Sequence, residues 1–210
     1  MAAALVEVAH GVQRLGQQPK RSCLQLHAAH ATAARRRPQH TAGEDRRPPT
    51  PPADPTRARP PCRGGSPAGA AMWCSYFFPD DQVHLNDFYQ RATDSTRQFW
   101  TLPQLPAPRY PVRPVYVLTS ATTFSGGEDV AYTLQALGRA ELVGETTGGG
   151  AHPTERYPVT AHITVTVPTA RTINAVTGSN WEGVGVRPDR AVPADKALET
   201  AHREAIRRLA

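Results

Sequence analysis

The chain has 210 residues, a formal net charge of +6 and three cysteines, Cys23, Cys62 and Cys74. That length supports one moderate domain with a real core, while an odd number of widely spaced cysteines excludes a disulfide framework and a zinc site. The excess charge sits in residues 1–62, where ten bases face four acids; the rest carries fourteen of each sign, so a folded basic face for nucleic acid is not expected.

Residues 2–16 place Leu5, Val8, Val12 and Leu15 at helical spacing, which predicts a short helix. Their apolar part contains Glu7 and His10 and has no basic residues before it, so no signal peptide is expected. No stretch is apolar for long enough to span a membrane, and the cytoplasm is the default compartment. The remainder of 1–62 is rich in Arg, Pro, Ala and His and holds nine of the 21 prolines. Such a composition buries too little apolar surface to offset ordering entropy, and a disordered segment is expected there. A folded domain is expected over 63–210.

"SPAGAAMWCSYFF" predicts a helix that starts near Ser66 with Pro67 in its first turn. Cys74, among Trp73, Tyr76 and Phe77, is expected in the core. "HLNDFYQRATDSTRQFWTLPQLPAPRYPV" is mixed and proline-punctuated, and an irregular connector is expected. "PVYVLTS" is a short β-branched run of the kind found in buried parallel strands. "SGGEDVAYTLQALG" predicts a helix with Gly138 as its stop, and "AELVGE" a second strand, completing a β-α-β unit. In "HITVTVPTARTINAV", Ile163, Val165 and Val167 alternate with threonines, and a hairpin turning near Pro168 into 172–176 is expected. "PADKALETAHREAIRRL" predicts a terminal amphipathic helix. The class is α/β.

"TTFSGGED" places Ser125 between the predicted strand and helix. The first-turn N–H groups and the helix dipole there favour a developing oxyanion, and Gly126 and Gly127 allow a substrate backbone to approach. Ser125 and Glu128 also fit a capping box, so nucleophile and N-cap both stand on local grounds. The G-x-S-x-G elbow pattern is absent, because Thr123 occupies its first glycine position. "TTGGG" lacks the Lys-Ser/Thr ending of a phosphate loop.

"PVYVLTSATTFSGGEDVAYTLQALGRAELVGETTGGGAHP" resembles the nucleophile region of the tail-specific, C-terminal-processing serine peptidases, and "GSNWEGVGVRPDRAV" resembles the closing motif of their tricorn-like and interphotoreceptor-retinoid-binding branch. The resemblance runs from about Arg63 to Ala210. It implies a ClpP/crotonase-like β-β-α spiral core, incomplete at its N-terminal side. It implies Ser125 as nucleophile, the N–H of Gly126 as one oxyanion donor and the backbone of Gly64 or Gly65, in "RGGSP", as the other. The processing branch's lysine position is Gly150 here, which excludes a lysine mechanism by residue type. Glu182, in "NWEGVGV", matches the glutamate of the tricorn-like branch. That branch also draws a histidine and a second serine from an upstream segment that 1–62 does not match, so a truncated or misread N-terminus is expected. His152 is the base candidate within the chain.

The resemblance implies a serine endopeptidase domain acting on a peptide or protein substrate without metal or organic cofactor, with oligomer formation open. A non-catalytic relative binding a hydrophobic ligand or a protein partner is the second reading, and an acyl-CoA enzyme, without any CoA signature, the third.

Overall fold

The computed structural model describes residues 62–79 and 82–209, together with the backbone of two strands nearer the N-terminus, β1 (Ala2–Val8) and β2 (Leu24–His30). The remaining elements are α1 (Pro67–Ser75), β3 (His84–Gln90), β4 (Ser95–Trp100), β5 (Val115–Thr119), α2 (Gly126–Ala136), β6 (Glu141–Gly144), β7 (Thr154–Pro158), β8 (Thr164–Pro168), β9 (Arg171–Asn174), β10 (Arg190–Ala191) and α3 (Ala194–Leu209). The fold is α/β, as expected. No helix among the described residues is long and apolar enough to cross a membrane.

The main sheet has the order β10-β6-β5-β1-β2. β10, β6, β5 and β1 run parallel, and β2 is antiparallel to β1. All five residues of β5 are buried, as its unbroken apolar run requires of a strand covered on both faces. Alternation along the strands divides the core. Val115, Val117 and Leu142 pack with Val130 and Leu134 of α2 and with Trp181. Tyr116, Leu118 and Val143 pack on the other face against Ala197, Ala201 and Ala205 of α3. Alanine at three consecutive turns of α3 lets that helix approach the sheet closely.

Four expectations need correction. Ala2–Val8 is a strand, not part of a helix over 2–16. It pairs with β5 from Ala4↔Val115 to Glu7↔Leu118 and so satisfies backbone groups on the β5 edge that a local helix would leave unpaired. Leu24–His30 is likewise a strand where no ordered structure was expected; its partner is β1. The expected disorder elsewhere in 1–62 lies outside the described residues, apart from Cys62.

The supposed irregular connector contains the β3–β4 hairpin, turned by a short 3-10 segment that ends on Asp94 in a left-handed conformation (φ 46°). Finally, β8 does not pair with 172–176. It pairs with β7, in a ribbon whose tip is closed by Val159 N–H on Ile163 O (2.8 Å), and both of its strands are exposed. β9 pairs instead with β3, because its buried Asn174 donates through Nδ2 to Asn86 Oδ1 (3.0 Å).

The β4-β3-β9 sheet is fastened to α2 through that same asparagine. Asn86 Nδ2 donates to Asp129 Oδ1 (2.6 Å) and Thr133 Oγ1 (2.8 Å). The loop before β5 is held by Arg139, which donates to the carbonyls of Phe77, Tyr110 and Arg113. Helix α1 starts as its sequence implies: Ser66 is the N-cap, and its hydroxyl accepts from Gly69 N–H at 3.1 Å.

Candidate active site

β5 delivers the chain to a tight corner. Thr123 Oγ1 accepts from Ser120 N–H (3.0 Å), and Phe124 N–H donates to Cys62 O (2.8 Å). The second bond lays the corner against the segment that leads into Gly64 and Gly65. Ser125 follows with φ 52° and ψ −121°. An ordinary N-cap has extended backbone, whereas a non-glycine residue in this region stores on the order of 1–3 kcal/mol of strain. A strained serine on a strand-to-helix turn has the form of a nucleophile elbow, although the glycine pattern of that elbow is absent.

Gly126 shows why this corner needs glycine. A Cβ there would lie 2.8 Å from Gly65 N and 3.0 Å from Gly65 Cα. The start of α2 and the Gly64–Gly65 backbone are therefore in direct contact. Ser125 N–H donates to Glu128 Oε2 (2.7 Å) and Gly127 N–H to Phe124 O (3.1 Å). Of the elbow's amides, that leaves the Gly126 N–H without a partner among the described residues and open to an incoming group. Among the described residues, the structure thus brings together Ser125, Gly126, Gly64 and Gly65.

Glu128 is fully buried and binds more than the Ser125 amide. Its Oε1 accepts from Thr147 Oγ1 (2.5 Å) and Gly149 N–H (2.6 Å), and its Oε2 also accepts from Gly150 N–H (2.9 Å). The capping box anticipated one of these four bonds. The other three come from residues 19 to 22 positions away, beyond the reach of any local pattern.

The glycine run is a packing surface. Cβ atoms at Gly148 and Gly150 would strike the Phe124 ring, at 2.7 and 2.1 Å. That ring is 42 % exposed beside Ser125. Gly149, with φ 88°, passes so close to Gly183 and Gly185 that a Cβ would sit 3.1–3.2 Å from their backbone atoms.

Glu182 binds the far end of the same loop. Its Oε2 accepts from Ala151 N–H (2.7 Å) and His152 N–H (3.1 Å), and its own N–H is held by Asn180 Oδ1 (3.0 Å). Adjacent Trp181 is buried against Tyr132, with ring centroids 5.2 Å apart. Glu182 thus touches the backbone at His152, and no hydrogen bond among the described residues joins its carboxylate to the His152 ring or to Ser125. The Nδ1 of His152 is buried and has no hydrogen-bond partner among the described residues. Among the described residues no cluster of three or more His, Cys, Asp or Glu is arranged to hold a metal ion.

Asp129, next to Glu128 on the first turn of α2, went unnoticed in the sequence as a buried acid. Burial pushes its carboxyl up to about 7, against the opposing effect of hydrogen bonds from Thr133 and Asn86. Nearby Cys74 is also buried, and burial together with the Asp129 charge raises its thiol.

Residues 61–192 match the family described as Peptidase family S41. Among solved structures, the chain is similar to the photosystem II D1 C-terminal processing protease, at 20 % identity and TM-score 0.51 over 68 % of this chain and 36 % of that one. It is similar to an S41 protease from Bacteroides fragilis NCTC 9343, at 18 % identity and TM-score 0.58 over 68 % of this chain and 42 % of that one. It is also similar to mature CPAF complexed with lactacystin, at 14 % identity and TM-score 0.53 over 70 % of this chain and 41 % of that one. At these identities the likeness is one of fold, and the chain spans well under half the length of each.

Proposed function

The chain belongs to peptidase family S41, and from that premise we propose that its folded part is a serine peptidase domain in which Ser125 is the nucleophile. The observation that carries the reading is the contact of Gly126 with Gly64–Gly65 beside a strained Ser125. Ser125 Oγ attacks the carbonyl carbon of a peptide bond and gives its proton to a base. The carbonyl oxygen becomes an oxyanion, held by the N–H of Gly126 and by the backbone N–H of Gly64 or Gly65. The C–N bond breaks, the amine leaves with the proton, and water then releases the acyl group from Ser125. His152 is this chain's own candidate base, and Glu182 fixes the loop that carries it by holding its backbone N–H. The substrate is a peptide or protein segment.

A second reading is favoured by one specific observation: among the described residues the His152 ring has no hydrogen bond to Ser125 or Glu182, so this histidine is not seated on the nucleophile. In that case the domain binds an apolar ligand or partner without turnover.

Labelling with a fluorophosphonate separates the two. The expected result is covalent labelling of the wild-type chain that is lost in Ser125→Ala, with both proteins folded by circular dichroism. A folded wild-type chain that takes up no probe sinks the peptidase reading and leaves the binding one.

A further inference from the structure

We propose that Glu128 is a positioning residue for the nucleophile, a buried carboxylate that holds the Ser125 elbow and the Thr147–Gly150 loop in one fixed arrangement. This rests on the reading of Ser125 as nucleophile. The carboxylate is fully buried and each of its oxygens accepts from two donors, one oxygen from Ser125 and Gly150 and the other from Thr147 and Gly149. Four converging donors need an acceptor on every side, which a carboxylate supplies and a carboxamide does not. A carboxylate so placed would be costly without those bonds, and each is of the strong, charge-assisted kind.

Two consequences bear on the reaction. The Ser125 N–H is occupied, so the elbow offers substrate the next amide, that of Gly126. The unusual backbone of Ser125 is also fastened at its own N–H, opposing relaxation of the strained turn. Through Gly150 the same carboxylate fixes the loop whose following residues, Ala151 and His152, are bound by Glu182. Glu128 acts on the nucleophile through backbone and touches no substrate.

The experiment compares fluorophosphonate labelling rates of the full chain in wild type, Glu128→Gln, Glu128→Asp and Thr133→Val, each at a temperature where circular dichroism shows it folded. Glu128→Gln keeps the volume but turns an NH2 group toward two of the four donors, either the Ser125 and Gly150 amides or the Thr147 hydroxyl and Gly149 amide. It is expected to label roughly 100-fold more slowly, the scale of a displacement of about 1 Å at a reacting group. Thr133→Val removes a buried hydroxyl from the neighbouring Asn86–Asp129 network, so it is expected to lose stability and keep the wild-type rate.

A folded Glu128→Gln protein that labels at the wild-type rate overturns the assignment. If Glu128→Gln does not fold, Glu128→Asp decides in the same way, since it keeps the charge but is too short to reach both sets of donors. Failure of both variants to fold also overturns it, because Glu128 is then a folding residue only. A wild-type chain without label at Ser125 removes the nucleophile itself, an outcome distinct from all of these.

Discussion

Replacing Gly185 by alanine is expected to destabilise the domain by about 2–5 kcal/mol and to suppress labelling at Ser125. Gly185 has φ 72°, and a Cβ there would lie 2.2 Å from Thr147 O and 2.9 Å from Thr147 C. The backbone term alone costs about 1–2 kcal/mol, and forcing atoms into a packed interior adds about 1–3 kcal/mol. The damage does not stay local, because the backbone being struck belongs to Thr147. That residue pairs with Val186 in both directions, through Thr147 N–H on Val186 O (3.2 Å) and Val186 N–H on Thr147 Oγ1 (2.7 Å). It also donates to Glu128. Pushing Thr147 outward therefore strips the Glu128 carboxylate of a donor and loosens the loop that faces Ser125. Gly178→Ala is the control. Its φ is 63° and nothing lies within 4 Å of the new methyl group, so only the backbone term applies. Denaturant midpoints measure both; equal losses at 178 and 185 would falsify the collision argument.

The second large effect is on pH dependence. The buried Asp129 carboxyl titrates near 7 in the folded chain, against about 3.9 in an unfolded one. Between those values the folded state keeps a proton that the unfolded state has lost. Stability from this group is thus fully present below about pH 4, declines as pH rises toward 7, and is gone above it. A displacement of about three pH units corresponds to at most about 4 kcal/mol. Asp129→Asn retains an oxygen to accept from Asn86 and Thr133 and removes the charge. It is expected to flatten the decline in stability between pH 4 and 7 and to exceed the wild type at pH 8 by on the order of 2–4 kcal/mol. Thermal unfolding of both proteins across that range tests this, and parallel curves count against it. Labelling of Asp129→Asn should follow the wild type, since its side chain bonds Asn86 and Thr133 and only its backbone N–H, which the substitution keeps, reaches the elbow at Ser125 O (2.9 Å).

How far the sequence reached can be traced at particular positions. The β5–α2–β6 unit is legible because each part has a local cause: a β-branched run, a Ser–Glu pair three residues apart, and Gly138, which adopts φ 64° where the helix stops. Helix α3 follows from its apolar spacing, but of the face expected at Ala197, Leu198, Ala201, Ala205, Ile206 and Leu209 the three alanines are buried while Leu198 and Ile206 are exposed. The hairpin expected near Pro168 failed because alternation identifies a strand without identifying its partner. β7 and β9 both lay within reach, and the Asn86–Asn174 contact, across 88 residues, drew β9 to β3. The strand Ala2–Val8 was misread for the same reason: its helical spacing is real, but an open edge of β5 outweighs weak local preference.

At the site, local residue types left Ser125 as nucleophile or N-cap; the family resemblance made it the expected nucleophile, placed Gly150 where the processing branch has its lysine, and marked Gly64, Gly65, Gly126 and Glu182 as its company. Those signals lie in short motifs and their order along the chain, so one dimension carries them. Only the tertiary structure made Glu128 more than a cap and raised its neighbour Asp129 to near neutral pH. Both properties depend on which donors and how little water surround a carboxylate, and that is decided by chain segments folded in from far along the sequence.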